Sequence, residues 1–176
     1  MARQAEWAVL TNLVTGMLEG KEVVEVRKTV GDLAGYWGDA EAAARQKDEL
    51  LYVTQTWFPH PDGTEGAVLW GNTVLYPGVV GDELYMTRGH WHVKQTHGEL
   101  VLTVSGKGLL LLMDDARNQI EVDLRPGSTH HIDGRYAHRT VNTGDEPLVF
   151  LCAWPADCGH VYDAILRDGF ARRITA

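Results

Sequence analysis

Cysteine is scarce in this sequence, and the marks of a secreted or membrane-bound chain are missing. Only Cys152 and Cys158 occur, and their spacing, CAWPADC, fits neither a CxxC zinc knuckle nor a disulfide framework. We therefore expect both to be free thiols in a reducing cytoplasm. No apolar run approaches the about 20 residues that span a bilayer. The stretch MARQAEWAVLTNLV lacks the basic start and long apolar core of a signal peptide.

Positive charge is in deficit as well. The 176 residues carry a formal net charge of -8, which argues against nucleic-acid binding, because that function needs a basic face. Hydrophobic residues make up 44% and charged residues 23%, which is the ordinary balance of a folded domain. The length suits one well-formed core and is too short for two comfortable domains.

Strand patterns dominate the sequence after residue 50. Short segments rich in β-branched and aromatic residues are separated by turn sequences such as PDG, SGKG and RPG. The segments are LYVTQTWF, AVLWGNTVLY, ELYMT, GELVLTVSG, GLLLLM, QIEVDL, HRTVN and PLVFLCAW. Because no helical pattern lies between them, they predict an all-β sandwich or barrel.

The first 50 residues have a different texture. LTNLVTGMLEG carries apolar residues at helical intervals, and Asp39 is placed to cap a short Ala-rich helix. Another short helix is expected near Val161 to Asp168. We therefore predict one all-β domain overall, in which residues 1–50 form a helical and extended arm packed on a barrel of residues 51–176.

Histidine and glutamate are concentrated in the segment GHWHVKQTHGE. His90 and His92 lie two residues apart, so on a strand their rings point to the same face. Glu99 follows after a tight connection, and His138 lies near the start of a later strand pattern. Taken alone, HxH is also typical of an exposed polar pair on a strand. Three imidazoles and a carboxylate suit one divalent ion such as Fe, Mn, Ni or Zn, and leave coordination positions open for water or substrate.

These residues resemble a known family. HxH, Glu99, Gly81, Gly106, the Pro-Gly pair at 126–127 and HRTVN are similar to the two signature motifs of the cupins. The glutamate stands seven residues beyond the second histidine, and TVLYPG, GDELYMTRGHWH, AHRTVN and WPADCGHVYD complete the pattern. The chain thereby closely resembles the cupin-type (archaeal-type) phosphoglucose isomerases from about residue 26 to 170. That resemblance implies the cupin double-stranded β-helix, a jelly-roll-like barrel.

The resemblance also implies a function. Members interconvert glucose 6-phosphate and fructose 6-phosphate, in glycolysis and gluconeogenesis, usually as homodimers with one divalent metal ion per chain. The implied metal ligands are His90, His92, Glu99 and His138. The implied substrate contacts, mostly to phosphate, are Thr73, Thr87, Gly89, Trp154 and Tyr162. The expected partner is a small phosphorylated sugar, with neither nucleic acid nor membrane.

Two residues are candidates for the proton chemistry. Glu99 could move a proton between C1 and C2 of the open-chain sugar through an enediol. His160 could assist ring opening or carry a proton. A hydride shift is an alternative that the sequence leaves open.

Some positions depart from the family pattern. Trp154 and Val101 stand where tyrosine is common, and Asp133 and Gly134 replace a Pro-Pro pair, which should loosen that turn. Two other functions therefore stay open, a cupin metal oxygenase and a non-catalytic cupin that binds sugar phosphates. Within the isomerase hypothesis, hexose versus pentose and glucose versus mannose phosphates are also undecided.

Overall fold

The computed structural model describes residues 9–176, and they form a mostly β structure with three short helical segments. The strands are β1 Leu10–Thr11, β2 Leu18–Glu19, β3 Val23–Thr29, β4 Leu50–Trp57, β5 Val68–Leu75, β6 Val79–Val80, β7 Glu83–Leu84, β8 Trp91–His92, β9 Glu99–Ser105, β10 Gly108–Met113, β11 Gln119–Leu124, β12 Thr129–Ile132, β13 Ala137–Asn142, β14 Leu148–Pro155 and β15 His160–Val161. The helical segments are a 3-10 helix Gly31–Tyr36, α1 Ala40–Arg45 and α2 Asp163–Asp168. The predicted all-β class is confirmed.

Two antiparallel sheets enclose the core. One has six strands in the order β12-β9-β14-β5-β4-β3, and the other has three in the order β11-β10-β13. Buried apolar residues from both sheets, including Leu75 and Phe150 on one side and Leu110 and Val141 on the other, belong to a single cluster. Burial of these faces against each other is the main stabilising contribution, and it gives the jelly-roll-like barrel expected of a cupin.

The N-terminal part adds a strand to this barrel. β3 pairs with β4 in antiparallel register and forms one edge of the six-stranded sheet. The domain boundary at residue 50 stays a prediction, although a strand from before it belongs to the larger sheet. Among residues 9–176, no helix is long and apolar enough to cross a membrane.

The helical interpretation of LTNLVTGMLEG is wrong, because this stretch forms the hairpin β1–β2. The side chain of Asn12 accepts hydrogen bonds from the N–H groups of Val14 and Thr15, at 3.0 and 3.1 Å. Gly16 adopts φ +71°, a left-handed conformation that favours glycine. The Asn-initiated turn therefore wins over the apolar spacing.

The two other short helices predicted from the sequence are present, with ends near those expected. Asp39 caps α1, since its carboxylate accepts a hydrogen bond from the N–H of Ala42 at 2.8 Å. The C-terminal helix begins at Asp163 rather than at Val161, because Val161 belongs to strand β15 and pairs with Trp91 of β8.

Candidate active site

Backbone pairing assembles the four predicted metal ligands. His90 and His138 form an isolated antiparallel bridge in which each N–H donates to the carbonyl of the other, at 3.1 and 3.0 Å. His92 ends β8, Glu99 begins β9 and His138 lies in β13. The sheet pairing therefore fixes the distance between a local histidine and glutamate cluster and a histidine far along the chain.

The side chains of these four residues converge. Their candidate ligand atoms all lie within 4.8 Å of one another. Glu99 Oε2 lies 3.4 Å from His138 Nε2 and 3.7 Å from His92 Nε2. The Nε2 atoms of His90, His92 and His138 are buried without a hydrogen-bond partner. Buried polar atoms normally have partners, so three unpartnered nitrogens around one carboxylate fit a divalent cation.

Hydrogen bonds at the other ring nitrogen orient two of these imidazoles. His92 Nδ1 lies 2.6 Å from the carbonyl oxygen of His97, and His138 Nδ1 lies 3.4 Å from that of Tyr136. A carbonyl only accepts, so Nδ1 carries the proton and Nε2 keeps its lone pair. Metal-binding histidines are commonly oriented in this way.

The charges of the site are those that a cation requires. Burial, and then His138 and His160, hold the pKa of His90 well below its usual range, so this ring is neutral. Burial alone would raise the pKa of Glu99, but the adjacent imidazoles of His138 and His92 outweigh it and hold the pKa well below normal. Burial also opposes protonation of His92, yet its contacts with Glu99 and the His97 carbonyl raise its pKa.

A cavity of about 230 Å³ opens beside this cluster. All of the predicted site residues except His92 line it: Thr73, Thr87, Gly89, His90, Glu99, His138, Trp154, His160 and Tyr162. His92 is stacked on His90, with ring centroids 5.5 Å apart. The structure thus brings the predicted metal, phosphate and proton-transfer residues to one place.

Sequence reasoning missed Arg88. Its guanidinium carbon lies 3.4 Å from the centroid of the Tyr162 ring, and both side chains line the cavity. Its Nε is buried without a hydrogen-bond partner. The only sequence signal was its place between Thr87 and Gly89. The contact itself depends on Tyr162, which is distant in the chain, so the sequence did not reveal it.

A second arginine, Arg139, holds the backbone of Arg88 in place. Arg139 is buried, and its Nη2 donates to the carbonyl oxygen of Arg88 at 2.7 Å. Burial lowers its pKa to about 10. Gly89, at φ +76°, has room for only a hydrogen, because a Cβ would stand 3.1 Å from the His138 carbonyl oxygen and 2.9 Å from Phe170. Residues 88–90 therefore pack tightly against strand β13.

The positions that depart from the family pattern have defined contacts in the structure. The Trp154 ring packs over Gly71, where a Cβ would lie 3.0 Å from it, and Val101 is buried in the cavity wall. The turn at Asp133 and Gly134 was expected to be loose. Instead Asp133 accepts hydrogen bonds from the backbone N–H and the guanidinium of Arg135.

Comparison with known proteins identifies the family. The family model described as glucose-6-phosphate isomerase (GPI) matches residues 27–175. This chain belongs to the glucose-6-phosphate isomerase family. It is 36% identical over 174 residues to the glucose-6-phosphate isomerase of Thermococcus onnurineus (strain NA1), covering 99% of this chain and 91% of that protein. It is 37% identical to the enzyme of Thermococcus gammatolerans (strain DSM 15229 / JCM 11827 / EJ3) over 172 residues, covering 98% and 90%. The resemblance stated from the sequence is confirmed.

Among solved structures, oxalate decarboxylase from Bacillus subtilis overlaps 62% of this chain and 26% of its own, with 21% identity and a TM-score of 0.48. That overlap is too partial to bear on function. Family membership rests on the sequence relationship.

Proposed function

We propose that this chain is a metal-dependent isomerase that interconverts glucose 6-phosphate and fructose 6-phosphate. The observation that carries the proposal is the set of three buried, unpartnered Nε2 atoms facing Glu99 at the wall of the cavity. The family and the relatives named glucose-6-phosphate isomerase support the substrate pair.

We propose one divalent ion per chain, held by His90, His92, Glu99 and His138. Imidazole nitrogen with a single carboxylate suits Fe, Mn, Ni or Zn. Such an ion, when bound, polarises the sugar oxygens and stabilises charge that develops on them. The four protein ligands leave room in the coordination shell for substrate oxygens.

Proton transfer is assigned to Glu99 and His160. Glu99 lines the cavity as an anionic carboxylate and is the candidate group for moving a proton between C1 and C2 of the open-chain sugar. His160 packs edge-on against His90, with ring centroids 4.3 Å apart. Although part of the His160 side chain is exposed, desolvation of its ring among the neighbouring imidazoles and the nearby His92 lower its pKa. The ring is therefore neutral near pH 7 and has both a donor and an acceptor nitrogen for ring opening.

Substrate phosphate is assigned to other residues that line the cavity. Thr73, Thr87 and Tyr162 offer hydroxyl groups, Gly89 offers a backbone N–H, and Arg88 adds a positive charge. Thr87 Oγ1 already accepts a hydrogen bond from the N–H of Thr140 at 3.0 Å. Its own O–H proton can then be donated to a phosphate oxygen. Trp154 also lines the cavity and is assigned to contact the sugar.

We also propose that the chain is a homodimer in the cytoplasm. Leu13 and Val14, at the tip of the β1–β2 hairpin, are 79% and 84% exposed, which is unusual for adjacent large apolar residues. Val24 and Val26 on the sheet-edge strand β3 are half-exposed. Both cysteines are free and buried, which fits a reducing compartment.

A coupled dehydrogenase assay tests the proposal. Chelator-stripped protein should convert fructose 6-phosphate to glucose 6-phosphate only after Fe(II), Mn(II), Ni(II) or Zn(II) is restored. Mannose 6-phosphate and pentose phosphates assayed in parallel define the substrate range. Tight metal binding without turnover of any sugar phosphate would reject the isomerase and leave the oxygenase or the non-catalytic binder. Oxygen consumption then separates those two.

A further inference from the structure

A second group of metal-binding side chains lies next to the four-residue site. His92, Cys158 and His160 offer ligand atoms that all lie within 4.8 Å of one another. Cys158 Sγ is 3.7 Å from His160 Nε2. Cys158 is 1% exposed, whereas His160 is exposed at the rim of the cavity. An ion can therefore reach a buried thiol past a histidine that faces solvent.

The spacing matches what a tetrahedral ion needs. With Zn–S near 2.3 Å and Zn–N near 2.0–2.1 Å, a sulfur and a nitrogen on the same tetrahedral ion stand about 3.6 Å apart. The distance of 3.7 Å between Cys158 Sγ and His160 Nε2 is close to that value. Little movement of either side chain is required to close the site on an ion.

The donor set differs in chemistry from the neighbouring one. Thiolate and imidazole select thiophilic ions such as Zn²⁺ and Cd²⁺, whereas imidazole with carboxylate also accepts Mn²⁺ and Fe²⁺. The two groups have His92 in common. Because His92 Nδ1 is bonded to the His97 carbonyl, Nε2 is the ligand atom available to either ion.

We propose that Cys158, His160 and His92 form a second, inhibitory site for a thiophilic divalent ion. Binding makes a sulfur–metal bond and releases the thiol proton to water. It removes His92 from the four-residue site and withdraws His160 from the sugar. This inference rests on the proposed function in one respect, namely that the loss of His92 and His160 matters for turnover.

Cadmium titration of the protein preloaded with Mn²⁺ tests the site. Cd²⁺ bound to thiolate gives an ultraviolet charge-transfer band that the three-histidine and glutamate site lacks. The band should appear at saturation with one Cd²⁺ per chain, and isomerase activity should fall at least tenfold over the same range. Cys158→Ser should lose the band and need at least tenfold more Cd²⁺ for the same fractional inhibition.

Cys152→Ser is the matched control, since Cys152 is the other buried thiol and also lines the cavity. It should keep the band. Far-ultraviolet circular dichroism and thermal melting verify that the variants fold, and Cys158→Ala replaces the serine variant if it does not.

Three outcomes would overturn the inference. Absence of the band in the unaltered protein, or its persistence in Cys158→Ser, removes the site. Loss of the band in Cys152→Ser would show that the thiolate ligand is Cys152 and not Cys158. If the band forms without loss of isomerase activity, the second site does not take His92 from the four-residue site. The band reports on Cys158 even in a protein that isomerises nothing, so failure of the proposed function is seen separately.

Discussion

At the scale of single residues, His92 has the most constrained position in the site. Its side chain is inaccessible to solvent, its Nδ1 is held by the His97 carbonyl, and its Nε2 faces Glu99 at 3.7 Å. The side chain of His97 points elsewhere, toward Asp157 at 3.4 Å. The backbone of His97, and not its imidazole, therefore orients the His92 ring.

This distinction gives a pair of histidine variants with opposite outcomes. His138→Ala should abolish isomerase activity and most of the bound metal, because it removes one of the four proposed metal ligands. His97→Ala should do neither, because its carbonyl remains. Metal content by elemental analysis and turnover by coupled assay measure both. Normal metal and turnover in His138→Ala would refute the ligand assignment.

Thr87 gives a second prediction at this scale. Thr87→Ala should raise KM for fructose 6-phosphate about tenfold or more with a smaller change in kcat, because a hydrogen bond to a charged group contributes roughly 1.5–3 kcal/mol and lies away from the reacting carbons. Thr87→Ser, which keeps the hydroxyl, should restore KM. Steady-state kinetics of the two variants decide it. A fall in kcat alone would contradict a phosphate role.

The sequence predicted the proposed metal ligands because HxH, Glu99 and His138 are residue types that suit a divalent ion and because their spacing resembles that of a known family. Thr87 was implied by the family resemblance alone. Arg88 carries no such signal. Its role depends on the ring of Tyr162 below it and on the carbonyl contact from Arg139, and both come from distant parts of the chain.

At the scale of elements, the connection between β8 and β9 is held against the turn before β13. Gly134 faces this connection, and a Cβ there would lie 2.2 Å from the carbonyl oxygen of His97. That carbonyl is the one that orients His92. Glycine at 134 therefore allows the two loops to pack closely enough for the His97 carbonyl to orient His92, a ligand of the proposed metal site.

Gly134→Ala should weaken metal binding by about tenfold or more, since the His97 carbonyl has to move away from His92. Gly144→Ala is the matched control, because its Cβ would meet nothing closer than 3.6 Å and neither glycine has a left-handed φ. Isothermal titration with Mn²⁺ measures both. Equal affinities in the two variants would show that the loop contact does not position His92.

Element types were predictable wherever the local pattern was strong, and the later strands and α1 appear as expected. The hairpin β1–β2 was not predictable from the pattern. Its shape depends on two hydrogen bonds that the Asn12 side chain accepts and on the left-handed conformation of Gly16. Such bonds override apolar spacing over so short a stretch.

At the scale of the whole molecule, the strand order could not be derived from the sequence. β14 lies between β5 and β9, and alternating apolar residues say which face is buried but not which neighbour covers it. The family resemblance supplied that architecture. Local reasoning alone reached only a sandwich or barrel.

Metal removal should lower the stability of the folded protein. An ion present at a hundred times its Kd adds about 2.7 kcal/mol to the free energy of unfolding, which corresponds to roughly 5–10 °C in Tm for a chain of this size. Calorimetry with and without chelator measures the shift. His138→Ala should show almost none, and a full shift in that variant would place the ion elsewhere.

The bridge between His90 and His138 has a consequence for folding. His90, His92 and Glu99 lie within ten residues of the chain, so the unfolded polypeptide keeps three donors as a local chelating segment. Only His138 requires closure of a long loop. The pairing of His138 with His90 and of β13 with β10 offsets the entropic cost of that closure. An ion held weakly before folding lowers the net stabilisation it confers. Such an ion would already be bound when His138 completes the proposed set of ligands.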